Sequence, residues 1–206
     1  MRCDALRLLF VDICKNAGTA IIASFQKQFP NLTFEGKHHS IRNWVAVNQT
    51  DLRDDTGTLT KGICSVITDE LLRTHRTFAV VRNPFDRLVS LYCWGFQWCY
   101  PSTFKEFVRE VCKGTYTDYH GVRYKPQWEW LTDAQGIMRV QHLVRYERLQ
   151  EDFPVLLKTL GLPPMKLLKT NAASKRTAYR DYYDAESRRW VEEHYKVDLQ
   201  RLGYSF

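Results

Sequence analysis

Several features are scarce in this 206-residue chain, and each scarcity excludes something. No apolar run approaches the ~18 residues a bilayer-spanning helix needs. The apolar stretch Leu6 to Ile13 is too short, and Asp12 interrupts it. It also lacks a small-residue cleavage site, so it fails as a signal peptide and reads better as a first buried strand. With no leader-like segment the expectation is a cytoplasmic protein with no membrane span, although a trimmed luminal domain would carry the same sequence. The six cysteines are Cys3, Cys14, Cys64, Cys93, Cys99 and Cys112. None forms a CxxC pair and no Cys/His cluster has zinc-ligand spacing, so no metal is expected. They read as reduced, mostly buried thiols. Internal repeats, low-complexity tracts and Pro/Gly/Ser linkers are also missing, which predicts one domain over residues 1–206. No helix-turn-helix, zinc or RNA-recognition signature supports a nucleic-acid-binding module, so no nucleic-acid partner is expected.

What is present begins with charge. Thirty Lys and Arg against 23 Asp and Glu give a formal net charge of +7. That excess suits an anionic partner: a nucleotide, an acidic glycan, nucleic acid or a membrane surface. It is equally compatible with solubility alone.

Hydrophobic periodicity then sets out the elements. A strand over Leu6–Ile13 is followed by a helix from Gly18, with Ile21, Ile22, Phe25 and Phe29 on one face. Asn48–Lys61 is polar and turn-rich, a surface loop. A helix is predicted near Ser65–Arg73 and a strand over Thr77–Val81. Pro84 suits the first turn of the next helix, which runs through Tyr92 and beyond. On it, Phe85, Leu88, Val89, Tyr92 and Phe96 form a core face, and Asp86, Arg87, Ser90, Trp94 and Gln97 the opposite one. Another helix starts near Ser102–Thr103, with Phe104, Phe107, Val108 and Val111 inward. Arg139–Val144 reads as a strand. Asp152–Leu160 reads as a helix with Pro154 in its first turn, ending at Gly161. Lys169–Arg180 is a basic loop, and Ala185–Tyr195 a final amphipathic helix. Strands alternating with helices predict an α/β fold: a mainly parallel central sheet flanked by helices.

Two segments carry chemistry. The first, Phe10 to Ile21, reads F-V-D-I-C-K-N-A-G-T-A-I. A strand leads into a turn of small residues, and a helix starts near Thr19. Small side chains let backbone N–H groups approach an oxyanion, and the helix N-terminus adds roughly half a positive charge. With Lys15 beside it, this is in chemical terms a phosphate cradle, of the kind a P-loop-like nucleotide-binding core would carry. It is not a Walker A loop, because the lysine precedes the glycine. A βα turn with a capping threonine and an incidental lysine accounts for the same residues. The second segment, Phe78 to Tyr92, reads F-A-V-V-R-N-P-F-D-R-L-V-S-L-Y. Arg82 stands at the carboxyl end of a strand, where α/β folds bind ligands. Its guanidinium, with a hydroxyl from the helix, suits a phosphate; a local cap and an Arg82–Asp86 pair are the plainer alternative.

Together these segments resemble the superfamily of sulfotransferases that use 3'-phosphoadenosine-5'-phosphosulfate (PAPS). The first is similar to that family's 5'-phosphosulfate loop, P-K-T-A-G-T-S. The second is similar to its 3'-phosphate motif, V-R-N-P-x-D-R-L-V-S-x-Y, and matches almost throughout Val81–Tyr92. The likeness is nearest to the carbohydrate-type branch, which includes glycan O-sulfotransferases. Gly36-Lys37-His38-His39-Ser40 resembles that branch's K-H-x-[ST] segment, and Gln127–Leu131 with Thr132-Asp133 its Q-x-x-W-L-T-D region. Arg145–Leu149 with Asp152-Phe153 resembles Y-E-x-L-x-x-D-F. Asn171–Tyr183, Asp198 and Gly203-Tyr204 resemble its carboxyl-terminal pattern. Cys14, Asn16 and Ala20 depart from the usual Pro, Thr/Ser and Ser/Thr, and Ala20 removes one hydroxyl contact to the 5'-phosphate.

The resemblance implies an enzyme moving a sulfuryl group from PAPS to a hydroxyl, or less typically an amine, of a carbohydrate or small-molecule acceptor, releasing the bisphosphate PAP. It implies that Lys15 meets the bridging oxygen and 5'-phosphate, with Asn16, Ala17, Gly18, Thr19 and Ala20 around it. It places Arg82 and Ser90 on the 3'-phosphate and Ser174, Lys175 and Arg176 over the nucleotide. It makes His38 the general base, with His39 its immediate neighbour. Trp94, Trp98, Tyr100, Tyr119, Tyr124, Trp128 and Trp130 are candidates for an acceptor platform or for core. Arg42, Arg123 and Lys125 are candidates for an anionic acceptor. A small-molecule kinase of P-loop type and a basic nucleic-acid-binding module are the competing functions: the first predicts a preference for ATP, the second salt-sensitive binding of nucleic acid.

Overall fold

The computed structural model describes residues 1–34, 69–96, 103–114, 125–169 and 177–206. In chain order its elements are β1 (Arg2–Cys3), β2 (Leu8–Val11), α1 (Gly18–Gln28), α2 (Asp69–Thr74), β3 (Arg76–Val81), α3 (Pro84–Leu91), a π-helical turn (Tyr92–Phe96), α4 (Phe104–Lys113), α5 (Gln127–Leu131), β4 (His142–Arg145), a 3-10 turn (Tyr146–Arg148), α6 (Leu149–Thr159), a second 3-10 turn (Tyr179–Tyr182), α7 (Ala185–His194) and α8 (Lys196–Leu202). They fall into two compact units. One is Met1–Val81 with Glu129–Thr170, the other Arg82–Trp128 with Asn171–Phe206.

The first unit is built on a sheet in the order β1-β2-β3-β4. The pairs β2–β3 and β3–β4 are parallel and β1–β2 is antiparallel, which bears out the mainly parallel α/β expectation. All of β2, and β3 from Thr77 onward, is buried, so these strands read as continuous apolar runs rather than alternating ones. Phe10 and Phe78 are register partners, and their rings stack 4.6 Å apart. Phe25 of α1 packs on Phe78 and on Phe153 of α6, which places both helices over that aromatic pair. Tertiary burial of Ile21, Ile22 and Phe25 holds α1, since an isolated helix of this length is marginal in water.

Three expectations about this unit are corrected. The strand expected over Arg139–Val144 starts only at His142 and ends at Arg145, because Arg139 N–H donates to Leu131 O outside the sheet. The first strand is shorter than Leu6–Ile13, because Leu6 and Arg7 lie in the turn from β1, where Arg7 N–H donates to Asp4 O and φ is 47°. The helix expected from Asp152 starts at Leu149, so Pro154 lies in its interior and not in its first turn. Leu149 is buried and extends the core face backwards. Pro154 and Gln150, whose carbonyl would lose its donor, are both exposed, so water can satisfy that carbonyl. The predicted stop holds: Gly161 is left-handed (φ 59°), and Leu162 N–H donates to Leu157 O.

The described residues of the second unit are helical apart from turns. Phe104, Phe107, Val108 and Val111 of α4 are buried as expected. Phe85 of α3 sits edge-on to Tyr183 and Phe206, and Tyr183 Oη donates to Phe85 O. The α-helix expected to run through Tyr92 ends at Leu91 and widens into the π turn, which carries Trp94, 55% exposed. Arg87, expected on the polar face, is buried and donates to Lys125 O. The helix expected as the last, α7, gives way at buried Tyr195 to α8, which left-handed Gly203 closes. Of the described cysteines, Cys3 and Cys14 are buried and Cys93 and Cys112 half-buried, and no disulfide joins any of them. No helix among the described residues is long and apolar enough to cross a membrane.

Candidate functional site

In the first unit, β2 ends at Val11 and the chain turns through Asp12–Ala17 into α1. Lys15 (φ 69°) and Ala17 (φ 66°) both adopt the left-handed conformation. For residues with a Cβ this costs about 1 kcal/mol each. Left-handed residues interleaved in such a turn gather successive N–H groups into a concavity that accepts an anion. Ala17 is the N-cap of α1 and supplies no side-chain hydrogen bond, so the first-turn N–H groups at Gly18, Thr19 and Ala20 have no cap from that residue. The Thr19 hydroxyl is on an exposed residue, while Gly18 and Ala20 are buried.

Two buried side chains lie against this turn. Asn16, 1% exposed, donates from Nδ2 to the carbonyl of Val80 on β3 at 2.7 Å. The residue that departs from the usual Thr or Ser therefore ties the turn to the neighbouring strand. Asp12, also 1% exposed, packs beneath the helix start, where a Cβ on Gly18 would run into its carboxylate. Glycine is required there by contact rather than by φ.

In the second unit, Asn83 caps α3 by accepting from Phe85 N–H at 3.0 Å and donates to Ser205 O at 2.8 Å; Pro84 occupies the first turn. Arg82, 3% exposed, directs Nε and Nη2 onto Asp86 Oδ2, each at 2.7 Å. The Arg82–Asp86 pair weighed from the sequence is thus present, and it fixes the guanidinium in place. Ser90, one turn beyond Asp86 on α3, is half-buried. The amide of Gln127 makes two bonds to the main chain of Arg82, and buried Asp198 takes the N–H groups of Gln127 and Trp128. Burial pushes the Asp198 carboxyl up from its ordinary range, against the pull of those N–H groups and of Arg87.

Sequence reasoning gives Gln127 and Asp198 no role beyond membership of the family-like segments. Asp198 joins Gln127 across 71 residues of sequence, which no local pattern reveals. Other residues of the Gln127–Asp133 segment make packing and turn contacts. Trp130 is buried, which removes it from the acceptor-platform candidates, and Asp133 caps a turn through Gln135 N–H and Ile137 N–H while pairing with Arg139. Trp128 is half-buried with Arg201 over its ring. His38, His39, Ser174, Lys175 and Arg176 lie outside the described residues, as do Trp98, Tyr100, Tyr119, Tyr124, Arg42 and Arg123.

A model of the sulfotransferase family matches residues 1–205 of the chain. No curated protein and no solved structure matches it. The match runs through the strand–turn–helix of the first unit and the capped helix of the second, and it agrees with the likeness read from Phe10–Ile21 and Phe78–Tyr92. The chain belongs to the sulfotransferase family.

Proposed function

We propose that this enzyme takes the sulfuryl group of PAPS and transfers it to a hydroxyl of a carbohydrate or small-molecule acceptor, with an amine as the less favoured nucleophile. The observation that carries this reading is the turn Lys15–Ala20: two left-handed residues and a helix start whose N-cap, Ala17, makes no side-chain bond, tied to β3 by buried Asn16 and packed against buried Asp12. That arrangement suits a multiply charged 5'-phosphosulfate, and it is more than a capped βα turn needs. The family match supports sulfuryl transfer as the reaction class. Arg82, held by Asp86, and Ser90 on the same helix suit a 3'-phosphate, the group that separates PAPS from ATP.

Sulfuryl transfer, like phosphoryl transfer, is an in-line displacement with charge growing on the leaving oxygen. In this proposal Lys15 and the N–H groups of Ala17–Ala20 stabilise that charge, and His38 takes the acceptor's proton. By the likeness to the family, Ser174, Lys175 and Arg176 are assigned to the nucleotide.

Binding of PAP and ATP by calorimetry, followed by assay with labelled PAPS against glycans, phenols and alcohols, tests the proposal. PAP is expected to bind more tightly than ATP; the reverse preference would point to a kinase and refute it. Lys15→Ala is expected to cost about 3–4 kcal/mol of transition-state stabilisation. His38→Ala is expected to lower turnover by about 10²–10⁴ while leaving PAP affinity nearly intact. Unchanged turnover in either variant removes that residue from the mechanism.

A further inference from the structure

Arg82 is the first residue after β3, whose pairing with β4 ends at Val81↔Arg145. Its main chain still finds a two-point partner. Gln127 Oε1 accepts from Arg82 N–H at 3.0 Å, and Gln127 Nε2 donates to Arg82 O at 2.7 Å. One side-chain amide thus does for Arg82 what an adjoining strand would do. Gln127 is fully buried and is itself fixed: its own N–H donates to Asp198 Oδ2 at 2.7 Å, and its Nε2 lies 3.3 Å from the same oxygen. Trp128 N–H donates to Asp198 Oδ1 at 2.8 Å. Asp198, also fully buried, therefore holds the start of α5 and orients the amide. Buried Arg87 supplies charge compensation to this carboxylate.

The assembly fixes Arg82 from two directions. Asp86 sets the guanidinium through Nε and Nη2, and Gln127 sets the main chain from which it springs. An amide exchanged for an apolar side chain would leave a buried N–H and a buried C=O at Arg82 to find other partners, and the backbone would shift to do so. Small shifts at a bidentate anion contact are expensive, because the guanidinium fork must meet its oxygens in one geometry.

We infer that Gln127, backed by Asp198, is a positioning residue for Arg82 and sets the preference of this enzyme for nucleotides carrying a 3'-phosphate. This rests on the reading above that Arg82 meets that phosphate. Neither residue touches the nucleotide; both act through Arg82.

The readout is the ratio of affinities for PAP and for adenosine 5'-phosphate, which lacks the 3'-phosphate, measured by calorimetry on the full chain. Gln127→Met keeps length and burial but removes both bonds. It is expected to weaken PAP by about 10–100-fold while leaving adenosine 5'-phosphate within about twofold. Added to Arg82→Met, it should change the ratio no further, since both act through one contact. Asp198→Asn, which keeps the shape of the carboxylate, should move the ratio in the same direction by less; it carries the test if Gln127→Met does not fold. An unchanged ratio in folded Gln127→Met, or in folded Asp198→Asn if only that variant folds, overturns the inference, as does equal weakening of both ligands, which marks a general structural role. If the wild-type chain shows no preference for PAP, or Arg82→Met keeps it, the assignment of Arg82 has failed and the inference falls with it.

Discussion

The turn into α1 and the turn into α3 both leave a parallel strand and enter a helix, yet they are built in opposite ways. The first is made of backbone. Its N-cap is a left-handed alanine with no side-chain bond, and its shape comes from a carboxylate below and an amide alongside. The second is made of side chains. Asn83 satisfies the helix start, Asp86 holds the arginine, and Gln127 pairs with its main chain. The helix-entry pattern continues elsewhere in the second unit, where Thr103 and Asp184 each close a capping box. A helix whose first N–H groups are already satisfied offers little to an anion; one that begins on a strained residue with no side-chain cap offers a good deal. The difference separates a helix start suited to a ligand from one suited to support a side chain.

If the first turn depends on close backbone approach, filling it should be the most damaging change. Gly18→Ala would drive a methyl group into the buried Asp12 carboxylate, so the carboxylate or the helix start would have to shift. The expected loss is about 3 kcal/mol, at the upper end for overpacking a core. Combined with Asp12→Ala the loss should be smaller than the sum of the two, because the methyl group then occupies space the carboxylate has vacated. Denaturant midpoints of the four proteins check this. Strict additivity would mean that Gly18 is required for a reason other than this contact.

The second turn should break by a different route and to a smaller extent. Asn83→Ala removes the cap on Phe85 N–H and the bond to Ser205 O. Losing an N-cap costs about 1 kcal/mol, and the second bond adds a comparable amount. Thermal unfolding would register it. Asn83→Ser should keep a capping oxygen and lose the amide's donor bonds, so its destabilisation should be intermediate. A variant as stable as wild type would show that Pro84 and the packing of Phe85 suffice to start α3.

The two turns also differ from the rest of the molecule in how legible they are in the sequence. Both can be located from their residues, because strand, small turn residues and helix start are local signals. So can the core face of α4, where apolar residues recur at helical spacing and Thr103 precedes them. What escapes is non-local. Arg87 looks like a solvated residue because arginine usually is one; Lys125 O and Asp198 make its burial tolerable, and both are distant in sequence. Gln127 is an ordinary glutamine until Arg82 and Asp198 surround it. The preference of proline for a first turn points to a start of α6 at Asp152, and the pull of Leu149 into the core overrides it. Helix α8 escapes because its boundary with α7 is a buried tyrosine rather than a glycine or proline.

The gentlest test concerns a cap whose contribution is mostly charge. Asp184 accepts from Ser187 N–H at 2.8 Å, and Lys105 Nζ lies 2.7 Å from its other oxygen. The Lys105 ammonium, then the Ser187 bonds, hold its carboxyl well below the ordinary carboxylate range. A carboxyl with a depressed folded-state pKa binds its proton more readily when unfolded, so it stabilises above the unfolded value of about 3.9, and this is lost as pH falls toward the folded value. An asparagine in its place would still cap α7 but could not pair with Lys105. Asp184→Asn should therefore lower the Tm slightly at pH 7. The gap should narrow in high salt, as it does for exposed pairs, and shrink progressively as the pH is taken below about 4. A gap independent of pH would mean that the cap geometry, not the charge, is what Asp184 supplies. The helix starts of the second unit would then differ from that of α1 in geometry alone.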